Sequence, residues 1–192
     1  MPKVGMQPVR KRQLIEATIA SIHAHGLADT TVATISRAAG VSPGIIHHYF
    51  GGKDALLGAS MRALLVELRA HVVAALREAS TPRARIEAII DASFADRQFQ
   101  RRVIVAWLAF WGQAPHDNVL MRLQRVYAQR LKSNLRHDLR LLVGERRAGT
   151  VALGLAALID GLWLSCALNY QGLGAETARA LARDYLHRQL EA

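Results

Sequence analysis

With Cys166 as its only cysteine, the chain can form no intrachain disulfide, and a reducing compartment suits it. Proline is scarce, five in 192 residues, and no run alternates apolar with polar residues as a half-buried strand would. Aromatic residues make up only 6% of the chain, so each one is worth placing. Missing too are a phosphate-binding glycine loop, a dinucleotide fingerprint, and any His/Cys/Asp/Glu set at metal-ligand spacing. No enzyme built on those devices is expected, and no cofactor or metal. The opening MPKVGMQPVRKRQ has no apolar core ahead of a small-residue cleavage site. No signal peptide is expected, and the cytoplasm is the expected location.

Positive charge, by contrast, is plentiful. Lys and Arg number 25 against 15 Asp and Glu, a formal net charge of +10. That excess points to a polyanionic partner, and DNA, RNA and an anionic membrane all satisfy it on charge alone. The charge is spread along the chain rather than blocked into a tail. Hydrophobic residues make up 51%, ample for a core. One apolar segment, TVALGLAALIDGLWLSCAL from Thr150 to Leu168, approaches the length of a membrane span. Its central Asp160 would cost roughly 2.5–3.5 kcal/mol at mid-bilayer. The segment is therefore expected to be a fully buried helix, with no membrane partner.

Apolar residues recur at three and four throughout, which predicts an all-α fold. A first helix is expected from about Val9 to His25, ended by Gly26, with Ile15, Ile19 and Ile22 as its inner stripe. Arg10, Lys11 and Arg12 stand at its start, where cations oppose the helix dipole. They read equally well as phosphate contacts or as a solvated basic end. Thr30 or Thr31 caps a second helix with Val32, Ile35 and Ala38 or Ala39 inward, and Gly40 closes it. Ser42 is expected to cap a third helix that has Pro43 at its first position. On that helix Ile46 and Phe50 share the inner side, with Ile45 and Tyr49 beside them. Gly44, His47 and His48 are left pointing outward. Two short helices around a glycine turn can lay the second in a DNA major groove. The histidines can donate or accept there, and the bland alternative is a solvated surface pair.

Further helices are expected from about Lys53 to Ala79, Arg83 to Phe99, Arg102 to Ala114, Asn118 to Val143, Gly149 or Thr150 to Tyr170, and Glu176 to Gln189. In the fourth of the chain, Leu57, Leu64, Leu68, Val72 and Leu76 form the apolar side. In the long one, Leu120, Leu123, Tyr127, Leu131, Leu135 and Leu139 should point inward, with Arg122, Arg125, Arg130, Lys132, Arg136 and Arg140 solvated.

The run from Thr31 to Leu57 resembles the TetR family of repressors. Gly40-Val41-Ser42, Gly44, Phe50, and Lys53 followed by Asp54 and Leu56 stand at that family's spacing. The family commonly has tyrosine where this chain has His47. The resemblance implies a TetR-like fold of about nine helices. Residues 1–52 would form a three-helix DNA-binding head and residues 53–192 a ligand-sensing, dimerising bundle. It implies a DNA-contacting set of Arg10, Lys11, Thr31, Thr34, Ser42, Pro43, Gly44, His47, His48, Tyr49 and Lys53. It further implies a homodimer through the last two helices, seated on double-stranded operator DNA with inverted-repeat half-sites. Four stretches narrow it: MPKVGMQPVRKRQLIEAT, GIIHHYF through LL, AWLAFW at Ala106–Trp111, and GLAALIDGLWL at Gly154–Leu164. They look like the choline-responsive repressors of glycine betaine synthesis within that family. The implied role is repression of choline uptake and oxidation genes, relieved by choline as inducer.

Choline's trimethylammonium cannot donate hydrogen bonds, so aromatic faces and a carboxylate suit it, each face contributing about 0.5–2 kcal/mol. All three tryptophans, Trp107, Trp111 and Trp163, lie in the sensor half. Trp107 and Trp111 are one turn apart with Phe110 between them, and Asp160, Trp163, Ala167 and Tyr170 share one helical face. The candidate ligand set is Trp107, Phe110, Trp111, Tyr127, Asp160 and Trp163. The alternative is that the tryptophans are core and Asp160 pairs with arginine or backbone. A second face of the same helix carries Gly154, Ala157, Gly161, Ser165 and Leu168, small enough to admit another helix closely. A different inducer, cationic or apolar, and a non-specific RNA- or membrane-binding protein are the rival readings.

Overall fold

The computed structural model describes residues 6–169 and 172–191. Among them are eight α-helices, two short 3-10 turns and no strand. In chain order the helices are α1 (Met6–His25), α2 (Val32–Ala39), α3 (Pro43–Phe50), α4 (Lys53–Glu78), α5 (Pro82–Ser93), α6 (Arg101–Gln113), α7 (Asn118–Ala167) and α8 (Ala175–Glu191). The all-α expectation holds. Gly144 interrupts α7 with φ 77° and ψ 161°. That backbone is open to glycine and strained for other residues, so α7 is two rods, 118–143 and 145–167. The second rod begins at once after Gly144, several residues before the expected Gly149 or Thr150. A single glycine suffices for the break, and Ala148 is already buried in the new helix. The end of the α5 segment differs too. The α-helix stops at Ser93, and Asp96–Phe99 form a separate 3-10 turn.

The chain divides into two compact units, Met1–Leu65 with Arg101–Gln124, and Val66–Gln100 with Arg125–Ala192. In the first, α1 packs against both α2 and α6, and α2 against α3. Its core joins Leu14, Ala17, Ile35, Ala39, Ile46 and Leu56, with Tyr49 and Phe50 among the half-buried residues packed on it. The inner stripe of α1 is Leu14, Ala17, Thr18, Ser21 and Ile22. The expected Ile15 and Ile19 only flank it. Hydroxyls look polar to a periodicity count, yet they bury readily once bonded. Thr18 Oγ1 donates to the Leu14 carbonyl at 2.8 Å, and Ser21 Oγ to Thr34 Oγ1 at 3.1 Å.

In the second unit Ile86, Ile89 and Ile90 of α5, Leu131, Leu135 and Leu139 of the first α7 rod, Val151, Leu155 and Ile159 of the second, and Ala178, Ala182 and Leu186 of α8 are buried. Asp138 is buried as well, its side chain 3% exposed, and Arg85 Nε reaches it at 2.9 Å. The apolar segment of α7 is not the fully buried helix expected from its composition. α7 is long and apolar enough to cross a membrane, yet only 39% of its most apolar window is buried. Leu153 (58% exposed), Ala157, Gly161, Leu164 and Leu168 (62%) leave one side of the rod open. Gly154 behaves differently from Gly161: a Cβ there would run into the Tyr185 hydroxyl of α8, while Gly161 faces open space.

Candidate nucleic-acid interface and ligand-sensing residues

At eight residues each, α2 and α3 are too short to hold themselves together in isolation. Their ends carry the specification. Thr31 Oγ1 accepts from the Thr34 amide at 3.1 Å, and Thr34 Oγ1 accepts from the Thr31 amide at 2.8 Å, a reciprocal capping box. Gly40 turns left-handed at φ 62°, ψ 39°. Its amide donates to Arg37 O at 3.2 Å and the Val41 amide to Ser36 O at 3.0 Å, the paired bonds of a Schellman ending. Ser42 then occupies the cap position of α3 in extended backbone, but its side chain makes no capping bond, contrary to expectation. The Ile45 amide goes instead to the Ser42 carbonyl at 3.0 Å, and Pro43 at the first position has no amide to offer. The Ser42 hydroxyl is thus left at the surface.

Beyond the turn, α3 presents Pro43, Gly44, His47 and His48 to solvent while Ile46 is buried. Gly44, His47 and His48 are the outward set read from the sequence, and Pro43 joins them. Tyr49 is half-buried on the core, and its ring meets His48 edge-on at 4.9 Å. Lys53 opens α4, half-exposed. Thr31 is exposed, whereas Thr34 spends its hydroxyl on Thr31 and Ser21. Arg10 and Lys11 are half-exposed on α1. Arg10 is not simply a solvated cation: its Nη1 donates to Gln13 Oε1 at 2.7 Å, and Gln13 Nε2 donates to the Ala39 carbonyl at 2.7 Å. Gln13 was missed from the sequence, because nothing local signals a side chain reaching 26 residues along the chain.

The six candidate ligand residues are split evenly between the units. In the first, Trp107 and Phe110 are buried and Trp111 half-buried. The two indoles lie 6.4 Å apart at a 50° tilt. Trp111 Nε1 donates to Gln124 Oε1 at 3.1 Å, a partner the sequence did not suggest. In the second unit Tyr127 Oη donates to Asp160 Oδ1 at 3.3 Å. Burial pushes the Asp160 carboxyl above its ordinary value, and the Tyr127 hydrogen bond offsets this only in part. Burial, the Asp160 charge and that bond together push the Tyr127 phenol up. One turn on from Asp160, buried Trp163 packs 6.1 Å from Phe99, which stacks on Phe94 at 6.3 Å. Phe94 and Phe99 join this aromatic row unforeseen, because they were expected to lie on one helix with the rest of α5. Tyr170 falls outside the described residues. Among the described residues, the hydrogen-bond partner of Asp160 is a phenol, not the arginine or backbone group of the alternative reading.

A capped, glycine-turned helix pair with an outward second helix, carried by a helical body, defines a class: the one-component transcriptional regulators. Residues 14–60 match the tetR family of bacterial regulatory proteins, and residues 82–191 match the C-terminal part of BetI-type transcriptional repressors. The HTH-type transcriptional regulator BetI 1 of Chromohalobacter salexigens is 51% identical across 99% of this chain and 95% of its own length. BetI of Vibrio parahaemolyticus is 47% identical across 99% and 96%. A crystal structure described as a transcriptional regulator of Pseudomonas aeruginosa PAO1 superimposes with a TM-score of 0.87 at 30% identity, over 96% of this chain and 92% of that one. Another, a regulator from Saccharomonospora viridis in complex with choline, reaches 0.81 over 92% and 95%. At 21% identity that likeness concerns the fold alone. The chain belongs to the tetR family, in its BetI-type branch, and is a DNA-binding transcriptional regulator rather than an enzyme.

Proposed function

We propose that this regulator represses genes for choline uptake and choline-to-betaine oxidation, and that choline releases it from its operator. The reading assigns DNA contact to residues 1–52. Gly44, His47, His48 and Pro43 would face base edges, with Arg10, Lys11, Thr31, Ser42 and Lys53 near phosphates. Thr34 and Tyr49 would act mainly by holding the head in shape, given the bonds and burial already described. Residues 53–192 sense the ligand and dimerise. The open side of the second α7 rod, with Leu153, Ala157, Gly161, Leu164 and Leu168, suits a second copy, joined by exposed Leu181 of α8. A two-fold dimer would match inverted half-sites in the cytoplasm, where the operator is.

The observation that carries the choline assignment is the Tyr127–Asp160 pair one turn from Trp163. A half-buried carboxylate with a raised pKa gains most from a ligand that brings a permanent positive charge and asks for no hydrogen bond. The trimethylammonium end of choline brings both. The relative crystallised with choline supports the idea without transferring residues. Trp107, Phe110 and Trp111 are candidates to be tested one at a time. Choline can relieve repression only by binding the DNA-free state more tightly than the DNA-bound one. α4, whose chain passes from the first unit into the second at Val66, is the natural lever.

The test is a choline titration read by tryptophan fluorescence and by operator affinity at fixed salt, for the wild type and for Asp160→Asn. Choline should weaken operator binding by wild type, and Asp160→Asn should lower choline affinity about tenfold or more. Operator affinity that ignores choline, in a protein that still binds operator, overturns the inducer assignment.

A further inference from the structure

The α2–α3 pair is tied to α1 at both ends of α2. At its start Ser21 Oγ donates to Thr34 Oγ1 at 3.1 Å, which completes the capping box. At its end Gln13 Nε2 donates to Ala39 O at 2.7 Å. Ala39 is the last residue of α2 and immediately precedes the left-handed Gly40. Its carbonyl is one of those a helix leaves without an intrahelical donor, and the Schellman bonds use Ser36 O and Arg37 O instead. The position of this carbonyl therefore fixes where the turn, and α3 after it, leaves α2.

Gln13 does this with a second bond on its other side. Arg10 Nη1 donates to Gln13 Oε1 at 2.7 Å. An amide is the group that suits both neighbours, because it accepts at one atom and donates at the other. Reversed, it would set donor against donor at Arg10 and acceptor against acceptor at Ala39. The guanidinium thus orients the amide, and the amide holds the turn. Five N–H donors on Arg10 leave others for a second partner.

We propose that Gln13 is a positioning residue for DNA recognition, and that Arg10–Gln13–Ala39 makes phosphate binding at Arg10 and groove entry by α3 one coupled event. A phosphate at Arg10 draws the guanidinium into a fixed place, which fixes the amide, which fixes the turn. Random DNA engages the phosphate end alone. Operator DNA engages both, so the relay raises discrimination between them rather than affinity for DNA in general. This rests on the reading of α3 as the helix that enters the groove.

The test uses the full-length protein and two duplexes: one enriched from a random pool by the wild type, and a scrambled duplex of the same composition. Gln13→Met, of similar length but unable to make either bond, should lower the ratio of enriched to scrambled affinity about tenfold, with the salt dependence of binding unchanged. Gln13→Glu, which still accepts from Arg10 but cannot donate to Ala39, should lose the ratio likewise. Arg10→Met should lose both the ratio and about one unit of salt slope. Combined with Gln13→Met, it should reduce the ratio little further than either change alone. A wild-type ratio in Gln13→Met, or an equal loss on both duplexes with lowered thermal stability, overturns the relay and makes Gln13 structural. Failure of the wild type to enrich any sequence overturns the α3 reading beneath it, and the relay with it.

Discussion

The head and the second unit both rest on apolar cores, but the head adds directional bonds at the ends of its short helices. In the head, α2 and α3 have eight residues each, and their geometry depends on directional bonds: the Thr31/Thr34 box, the Gly40 ending, and the Gln13 amide. In the second unit the rods are long, the contacts are mostly Ile, Leu and Ala, and two side-chain pairs link distant parts of the chain, Arg85 with Asp138 and Tyr127 with Asp160. A reading head has to present one short helix at one angle, and non-directional apolar burial cannot specify an angle so finely. The sensing role proposed for the second unit calls for a core that tolerates a charge, and long rods supply the area for it.

The largest effect that would sharpen this contrast is expected in the second unit. Arg85→Ala leaves Asp138 buried without its cation, and breaking such a pair costs about 3–5 kcal/mol. Because Arg85 is about one-third exposed, the lower end is expected, read as a fall in thermal midpoint. Next comes the head. Thr31→Ala removes one half of the capping box, at about 1 kcal/mol. Operator affinity should fall while the choline-induced fluorescence change persists, and equal damage to both readouts would dissolve the contrast. The smallest effect is in the slope of stability against pH. The folded Asp160 carboxyl is raised by burial above its unfolded value, so between those two values the native state holds more protons. Stability there falls as pH rises. Asp160→Asn should flatten that stretch of the melting-temperature profile. Choline binding by the wild type should run the other way, weakening as pH falls, because the proposed pairing needs the ionised carboxylate.

Much of the head was legible from local residues. Thr31, Gly40 and Pro43 act within a turn of where they stand, so helix ends and the outward face of α3 follow from spacing. Of the α1 stripe Ile22 was read correctly, while Ile15 and Ile19 only flank it, since Thr18 and Ser21 are buried by virtue of hydrogen bonds that a hydrophobic period does not count. Ser42 shows the opposite error: a favoured cap residue whose side chain makes no cap, the Ile45 amide going to its carbonyl instead, although Thr81 caps α5 ahead of a proline in the same position. In the second unit the aromatic scarcity marked Trp163 and Asp160 correctly as neighbours on one helix face. Tyr127, already in the candidate set, and Phe99, which was not, meet them from distant parts of the chain, by packing.

Helix content, the glycine breaks and the outward face of α3 are properties of residues a few positions apart, and the sequence alone determined them. Which carbonyl Gln13 reaches, which carboxylate Arg85 neutralises, and which phenol meets Asp160 depend on how rods fold back on one another, 26, 53 and 33 residues apart. So does the open side of α7. Composition alone made that segment a core helix, and only the packing left Leu153 and Leu168 at the surface. Local chemistry sets the rods, and the tertiary structure alone decides which of their faces meet, because burial is shared between elements that the chain order does not bring together.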